Sequence, residues 1–214
     1  MLRKKQLGLT LIELMIGLVL SFIVMGLVIA MFTSSLGIHG QAIKTARLNQ
    51  DMRVMMDMMI RDIRRAGYWA GTNPASNPHA SAISGSTALN VFNVVSGAGD
   101  CILLSYDYDG DASSTAEELI GYKLEANDIK SFLLTSSALT TPNCSTTIPG
   151  GWSRLNDEKT STMLGVSFAI APNTAASFAA STLKVITITL QARSLLDTNI
   201  TSTLTDTVRV RNEL

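Results

Sequence analysis

The chain opens MLRKKQLGLTLIE (residues 1–13) and then runs from residue 14 to residue 32 without a charged side chain. Everything after these positions is read through them. Arg3, Lys4 and Lys5 form a basic leader that ends at Gly8, and one carboxylate, Glu13, stands at the head of the apolar run. Residues 14–32 approach the ~20 that cross a bilayer as a helix. The leader holds the N-terminus on the cytoplasmic side by the positive-inside rule, so the rest of the chain falls on the far side.

Two simpler readings of this order exist. A secretory signal is followed by a small-residue cleavage site, and Ser34, Ser35 and Gly37 offer a poor one. A plain signal anchor is the other. Glu13 argues against both, because a carboxylate in an apolar segment is costly and marks function, with a partner to be named. If the chain is cut between Gly8 and Leu9, the new α-amine lies four residues before Glu13. In a bundle of identical helices, the Glu13 carboxylate of one subunit then meets the amine of its neighbour. Pairing removes two lone charges from an apolar medium and favours one register. A Glu13 that snorkels to the interface is the alternative.

Gly8-Leu9-Thr10-Leu11-Ile12-Glu13 followed by an apolar helix resembles the class III signal of type IV pilins and pseudopilins. The resemblance implies a prepilin peptidase cut between Gly8 and Leu9, N-methylation of Leu9 and an assembly role for Glu13. Leu9 stands where most relatives have Phe.

The 214 residues allow one domain beyond a membrane helix. Net charge is zero, and loss of the three basic leader residues leaves 14 basic against 17 acidic side chains. No basic field points to nucleic acid. Two cysteines, Cys101 and Cys144, read as a disulfide in an oxidising compartment, with two buried free thiols as the alternative. Closing a loop of about 44 residues stabilises by roughly 4 kcal/mol in the chain-entropy model. There is no nucleophile elbow, Walker loop or HExxH, and His39 and His79 stand apart, so the chain reads as non-enzymatic.

The pattern predicts three parts: a leader at 1–8, a helix at 9–66 and a β-rich head at 67–214. Within the helix, 14–32 spans the membrane and 41–66 is amphipathic. Met52, Met56, Met59, Ile63 and Ala66 recur at three- and four-residue steps as one apolar stripe. Thioether side chains fill irregular cores; copper or promiscuous-partner binding is the other reading of such a run. Asp57 and Arg61 are spaced as an i,i+4 pair, and Gly67 after Arg64 and Arg65 is a C-terminal stop. Ser34, Ser35, Gly37 and Gly40 predict a bend or loosened turn. Residues 68–86 read as a loop. Strand-like runs follow at 89–95, 101–106, 119–124, 129–135, 163–170, 183–192 and 203–210, while 135–162 has no clear pattern. Alternation within these runs marks a sheet with one buried face, covered by the helix stripe. The fold class is α+β: a long helical stalk packed on an antiparallel sheet.

A second likeness is narrower. Residues 59–69, ending Ala66-Gly67-Tyr68-Trp69, resemble the stalk end of PilW-type minor pilins. So do Tyr106-Asp107-Tyr108-Asp109-Gly110-Asp111, Gly121-Tyr122-Lys123-Leu124 and Val208-Arg209-Val210-Arg211-Asn212. The likeness implies a type IV pilin-like fold and a structural minor pilin that helps prime pilus assembly, serving twitching motility, adhesion or DNA uptake. It places the chain in the bacterial inner membrane, single-pass with a periplasmic head, and then at the pilus base or tip. The implied partners are major and minor pilins, the inner-membrane assembly platform, the prepilin peptidase and a pilus-tip adhesin. A J-type pseudopilin of type II secretion is the nearest alternative, and a membrane-anchored periplasmic binding module a more distant one.

The acidic loop carries a separate reading. Counted as a twelve-residue calcium loop, Asp107, Asp109, Asp111, the Ser113 carbonyl, Thr115 and Glu118 fall at the ligand positions. Ala112 stands where such loops have glycine. The alternative is a solvated acidic turn between strands. No cofactor is otherwise required.

Overall fold

The computed structural model describes residues 10–83, 87–95, 98–112, 118–133, 144, 151–172 and 184–211. The chain divides into two units, Met1–Ile43 and Lys44–Leu214.

One helix, α1, runs Leu11–Arg65. Within the first unit none of its described side chains is buried. Phe22 is 67 % exposed and Met25 62 %. This stretch has the length and composition to cross a membrane. Two of its hydroxyls are bonded locally: Ser21 Oγ donates to the Gly17 carbonyl at 2.7 Å and Thr33 Oγ1 to that of Ala30 at 3.0 Å. The loosened turn expected at 34–40 does not occur; helical structure continues through Gly37 and Gly40. An isolated glycine costs only about 1 kcal/mol in a helix, which a run of this length absorbs.

In the second unit α1 becomes amphipathic. Leu48, Met52, Met55, Met56, Met59, Ile60 and Ile63 are buried, and Ala66 follows them. Four of the five methionines of the run are therefore core, and Met58 is half-buried. The helix stops where the sequence places its stop. Gly67 takes φ +77°, which glycine adopts without strain, and its N–H donates to the Ser105 carbonyl at 2.8 Å.

The loop after it holds two short 3₁₀ turns, Pro74–Ser76 and Pro78–Ser81. Among the described residues nine strands follow: β1 Leu89–Phe92, β2 Ala98–Gly99, β3 Cys101–Ser105, β4 Leu119–Glu125, β5 Asp128–Leu133, β6 Ser153–Arg154, β7 Ser161–Ala171, β8 Val185–Ser194 and β9 Thr201–Arg209. They form two antiparallel sheets, ordered β1-β3-β4-β5-β6 and β2-β7-β8-β9, where the sequence suggested one. The β4–β5 hairpin turns on Ala126 and Asn127, both at positive φ, as a tight two-residue turn requires.

Both sheets give one face to a common core with α1. Ile102, Leu104, Ile120, Tyr122 and Ile129 come from the first, and Met163, Phe168, Ile170, Ile186, Ile188 and Leu190 from the second. Strand β3 is buried on both faces. Its other side, Cys101 and Leu103, joins Ile83 and Leu119 in a smaller cluster against Phe92, Cys144 and Trp152.

Candidate functional site

Gly8 and Leu9 lie outside the described residues. Glu13 is described, and it closes the helix start. Its Oε2 accepts from the Thr10 N–H at 3.3 Å and the Thr10 hydroxyl at 3.2 Å, while Thr10 Oγ1 accepts from the Glu13 N–H at 3.3 Å. This is a reciprocal capping box. The pattern Thr-x-x-Glu announces it, a role beyond the intersubunit partner and the interfacial residue that the apolar run suggests. The two roles are compatible, because a carboxylate has lone pairs beyond those the cap uses.

In the head, three of the sequence landmarks meet through hydrogen bonds. Asp62, on the buried side of α1 and 8 % exposed, accepts from the Tyr106 hydroxyl at 3.1 Å through Oδ1 and from Tyr122 through Oδ2. One carboxylate thus ties α1 to the segment after β3 and to β4. Burial, then the Asp62 charge, pushes both phenols well above the usual tyrosine range. The Arg65 guanidinium lies over the Tyr106 ring, 5.9 Å from its centroid.

The acidic loop begins one residue after Tyr106. Asp107 is 2 % exposed. Its carboxylate accepts from the backbone N–H groups of Gly110 (2.6 Å), Ala70 (3.0 Å) and Ala112 (3.1 Å). Burial alone raises its pKa; these three donors outweigh it and hold the carboxyl below its ordinary value. Ala112 adopts φ +59°, the left-handed backbone for which a glycine had been expected, and its carbonyl accepts from the Trp69 indole N–H at 2.9 Å. The segment just past α1 thereby supports the loop from outside.

Asp107, Asp109, Asp111 and Glu118 converge: each offers a carboxylate oxygen, and these oxygens lie within 4.8 Å of one another. Four hard oxygen donors around one point are the chemistry calcium takes. Ser113 and Thr115, the other two positions of the expected ligand set, lie outside the described residues. Glu118 is buried, with its Oε2 3.7 Å from His79 Nε2. His79 Nδ1 in turn lies 2.7 Å from the Ser105 hydroxyl. His79 falls within 68–86, the stretch whose composition reads as a loop. It is 1 % exposed, and Ser105 is 4 % exposed, so this Ser–His–Glu trio is closed to substrates. It is a buried polar clamp.

Asp57 and Arg61, expected to pair, are absent from the ion pairs among the described residues. They line an open groove beside the loop with Arg64, Asp109 and Arg211. Cys101 and Cys144 are bonded, with Cα atoms 6.3 Å apart. Lys123 sits over the Trp152 ring at 4.4 Å beside that smaller core.

An apolar, unburied N-terminal helix behind a prepilin-type leader, with an antiparallel head on its amphipathic continuation, defines a membrane-anchored, pilin-like protein. Residues 3–29 match the prokaryotic N-terminal methylation motif. Residues 41–210 match the family described as prepilin peptidase-dependent protein B, and the chain belongs to it. No curated protein matches the chain, and no solved structure does.

Proposed function

We propose that this chain is a structural minor pilin: cut between Gly8 and Leu9, methylated on the Leu9 amine, and built into a type IV pilus whose assembly it helps to prime. The observation that carries this reading is the contrast within α1. Its first unit buries none of its described side chains, although it is the most apolar part of the chain. A surface of this kind is stable only in lipid or against other apolar helices. The PilW-type likeness of the head supports the pilus over the secretion system. A J-type pseudopilin remains the second reading, favoured by the stalk pattern alone. In either case the head faces the periplasm before assembly. The partners are other pilins, the prepilin peptidase, the assembly platform and, in the pilus reading, a tip adhesin.

The reading is tested on sheared surface filaments and on cells lacking the assembly platform. The processed chain should appear in the filament fraction of competent cells and stay in the inner membrane of the others. Absence from pili, with loss of protein secretion rather than of piliation on deletion, would select the pseudopilin.

We also propose that the head's acidic loop holds calcium through Asp107, Asp109, Asp111 and Glu118. Calcium at a hundredfold its dissociation constant would stabilise the head by about 3 kcal/mol, a melting shift of roughly 6–10 °C. An unchanged melting temperature on chelation would leave the loop as a solvated turn.

A further inference from the structure

The chain carries ten arginines and seven lysines. Five of the arginines gather at one place on the head, and no lysine joins them. Arg61 stands one turn before Arg64 and Arg65 on α1, and all three are exposed beside the buried Asp62 and Ile63. Arg209 and Arg211 flank the buried Val210, so alternation turns both outward. Together the five line two open clefts, of about 860 and 560 Å³, that share Arg64 and Arg211.

These guanidinium groups are open. None of Arg61, Arg64, Arg209 and Arg211 forms an ion pair or a side-chain hydrogen bond among the described residues, whereas Lys44, Lys123, Lys130 and Arg154 are all paired. Four aspartates share the larger cleft, and three already hold backbone donors. Asp107 takes those of Ala70, Gly110 and Ala112, Asp109 that of Asp111, and Asp206 that of Thr207. Neither they nor Asp57 forms an ion pair with an arginine of the cleft. The choice of arginine over lysine matters. An ammonium is enough to solvate a surface, whereas a planar fork matches a carboxylate or phosphate with two parallel bonds.

We propose that the cleft receives an acidic segment of another protein, whose carboxylates the arginine forks hold. Ile60 and the exposed Tyr68 and Tyr108 also line it. Arginine and tyrosine are residues that protein interfaces enrich. The rings and Ile60 cover a peptide chain and offer nothing to a bare phosphate ion. A second copy of this chain fits poorly. Outside the acidic loop, its Glu125, Asp128, Glu158 and Asp197 are already paired with bases. Within the loop, the carboxylates turn toward one another.

Fluorescence anisotropy of the full-length chain in uncharged micelles tests the cleft, with a labelled peptide of alternating glutamate and glycine as probe. The peptide should bind in the micromolar range, and its glutamine–glycine counterpart roughly tenfold or more weakly. Arg64→Lys and Arg211→Lys keep the charge and lose the fork. Each should weaken binding roughly tenfold at an unchanged melting temperature. Arg47→Gln and Arg53→Gln remove charges from exposed positions of α1 outside the cleft. They should change the affinity by less than about twofold, because salt screens distant charges. Wild-type affinity in the lysine variants, or equal losses in Arg53→Gln and Arg64→Gln, would reduce the cleft to a diffuse positive field and overturn the proposal. Three further results would overturn the choice of partner. Displacement of the peptide by an equal concentration of inorganic phosphate would make the ligand a phosphate. Self-association of the purified chain that the peptide abolishes would make it a second copy. Binding seen only after removal of residues 212–214 would make it the chain's own tail.

Discussion

The two stretches of α1 differ in what surrounds them. Between Leu11 and Ile43 no described side chain is buried, and residues such as Phe22 and Met25 stand open. From Leu48 onward one side of the helix is sealed: Met52, Met56, Met59 and Ile63 are each 2 % exposed or less. The helical hydrogen bonding is the same throughout. Composition makes the difference. An apolar stretch without a polar face needs an apolar surrounding. A stripe at three- and four-residue spacing needs only one cover, and the sheets of the same chain supply it. One stretch is therefore built for other molecules and the other for its own head.

Substitutions can break this contrast, and the largest effect is expected at Asp62. Asp62→Ala strips the Tyr106 and Tyr122 hydroxyls of a shared carboxylate inside the core. Two hydrogen bonds to a charged group are worth about 1.5–3 kcal/mol each, so the head should lose about 4 kcal/mol in denaturant titrations of the full chain in micelles. A loss below about 1 kcal/mol would mean that packing alone joins α1 to the sheets.

Methionine truncation sharpens the comparison. Met59→Ala should cost about 3 kcal/mol, within the range for buried methionine. Met25→Ala, on the open stretch, should change head stability by less than about 0.5 kcal/mol. Equal effects at the two positions would contradict the division of labour.

A smaller effect comes from the tyrosines. Tyr122 has its pKa raised by burial and by Asp62. The folded state thus holds the phenol proton more tightly than the unfolded state. That stability is complete below about pH 10 and is lost as pH climbs above it. Unfolding followed from pH 8 upward should show a fall that Tyr122→Phe reduces. An identical slope in the variant would place the alkaline sensitivity elsewhere.

Much of this architecture is legible in the residues. The methionine stripe, the stop at Gly67 and seven of the strands carry a period or a turn signal that a chain can be searched for. β2 and β6, two residues each, are too short to show alternation. Alternation also reports which face of a strand is buried, not which neighbour it pairs with, so two sheets read as one. The acidic positions of the loop could be counted from spacing, and four of them do converge. Asp62 could not be found this way. A lone aspartate between Arg61 and Ile63 looks like any polar helix position until Tyr106 and Tyr122, 44 and 60 residues on, are folded against it. The same holds for His79, whose partners arrive from afar in the chain, Ser105 from β3 and Glu118 from just before β4.

The open stretch of α1 is tested most directly at Glu13. In Glu13→Ala the helix loses the carboxylate that caps Thr10, and the neighbour's Leu9 amine loses its proposed partner; Glu13→Gln keeps a hydrogen-bond acceptor without the charge. Membrane and sheared-filament fractions should be compared for wild type and both variants, with the intact mass of each mature chain. The account predicts that the Ala variant loses its first eight residues, carries the N-terminal methyl group, keeps a folded head, and is nearly absent from filaments, with the Gln variant intermediate. Normal incorporation of the Ala variant, or a wild-type chain that retains its leader in cells with an active prepilin peptidase, would contradict it.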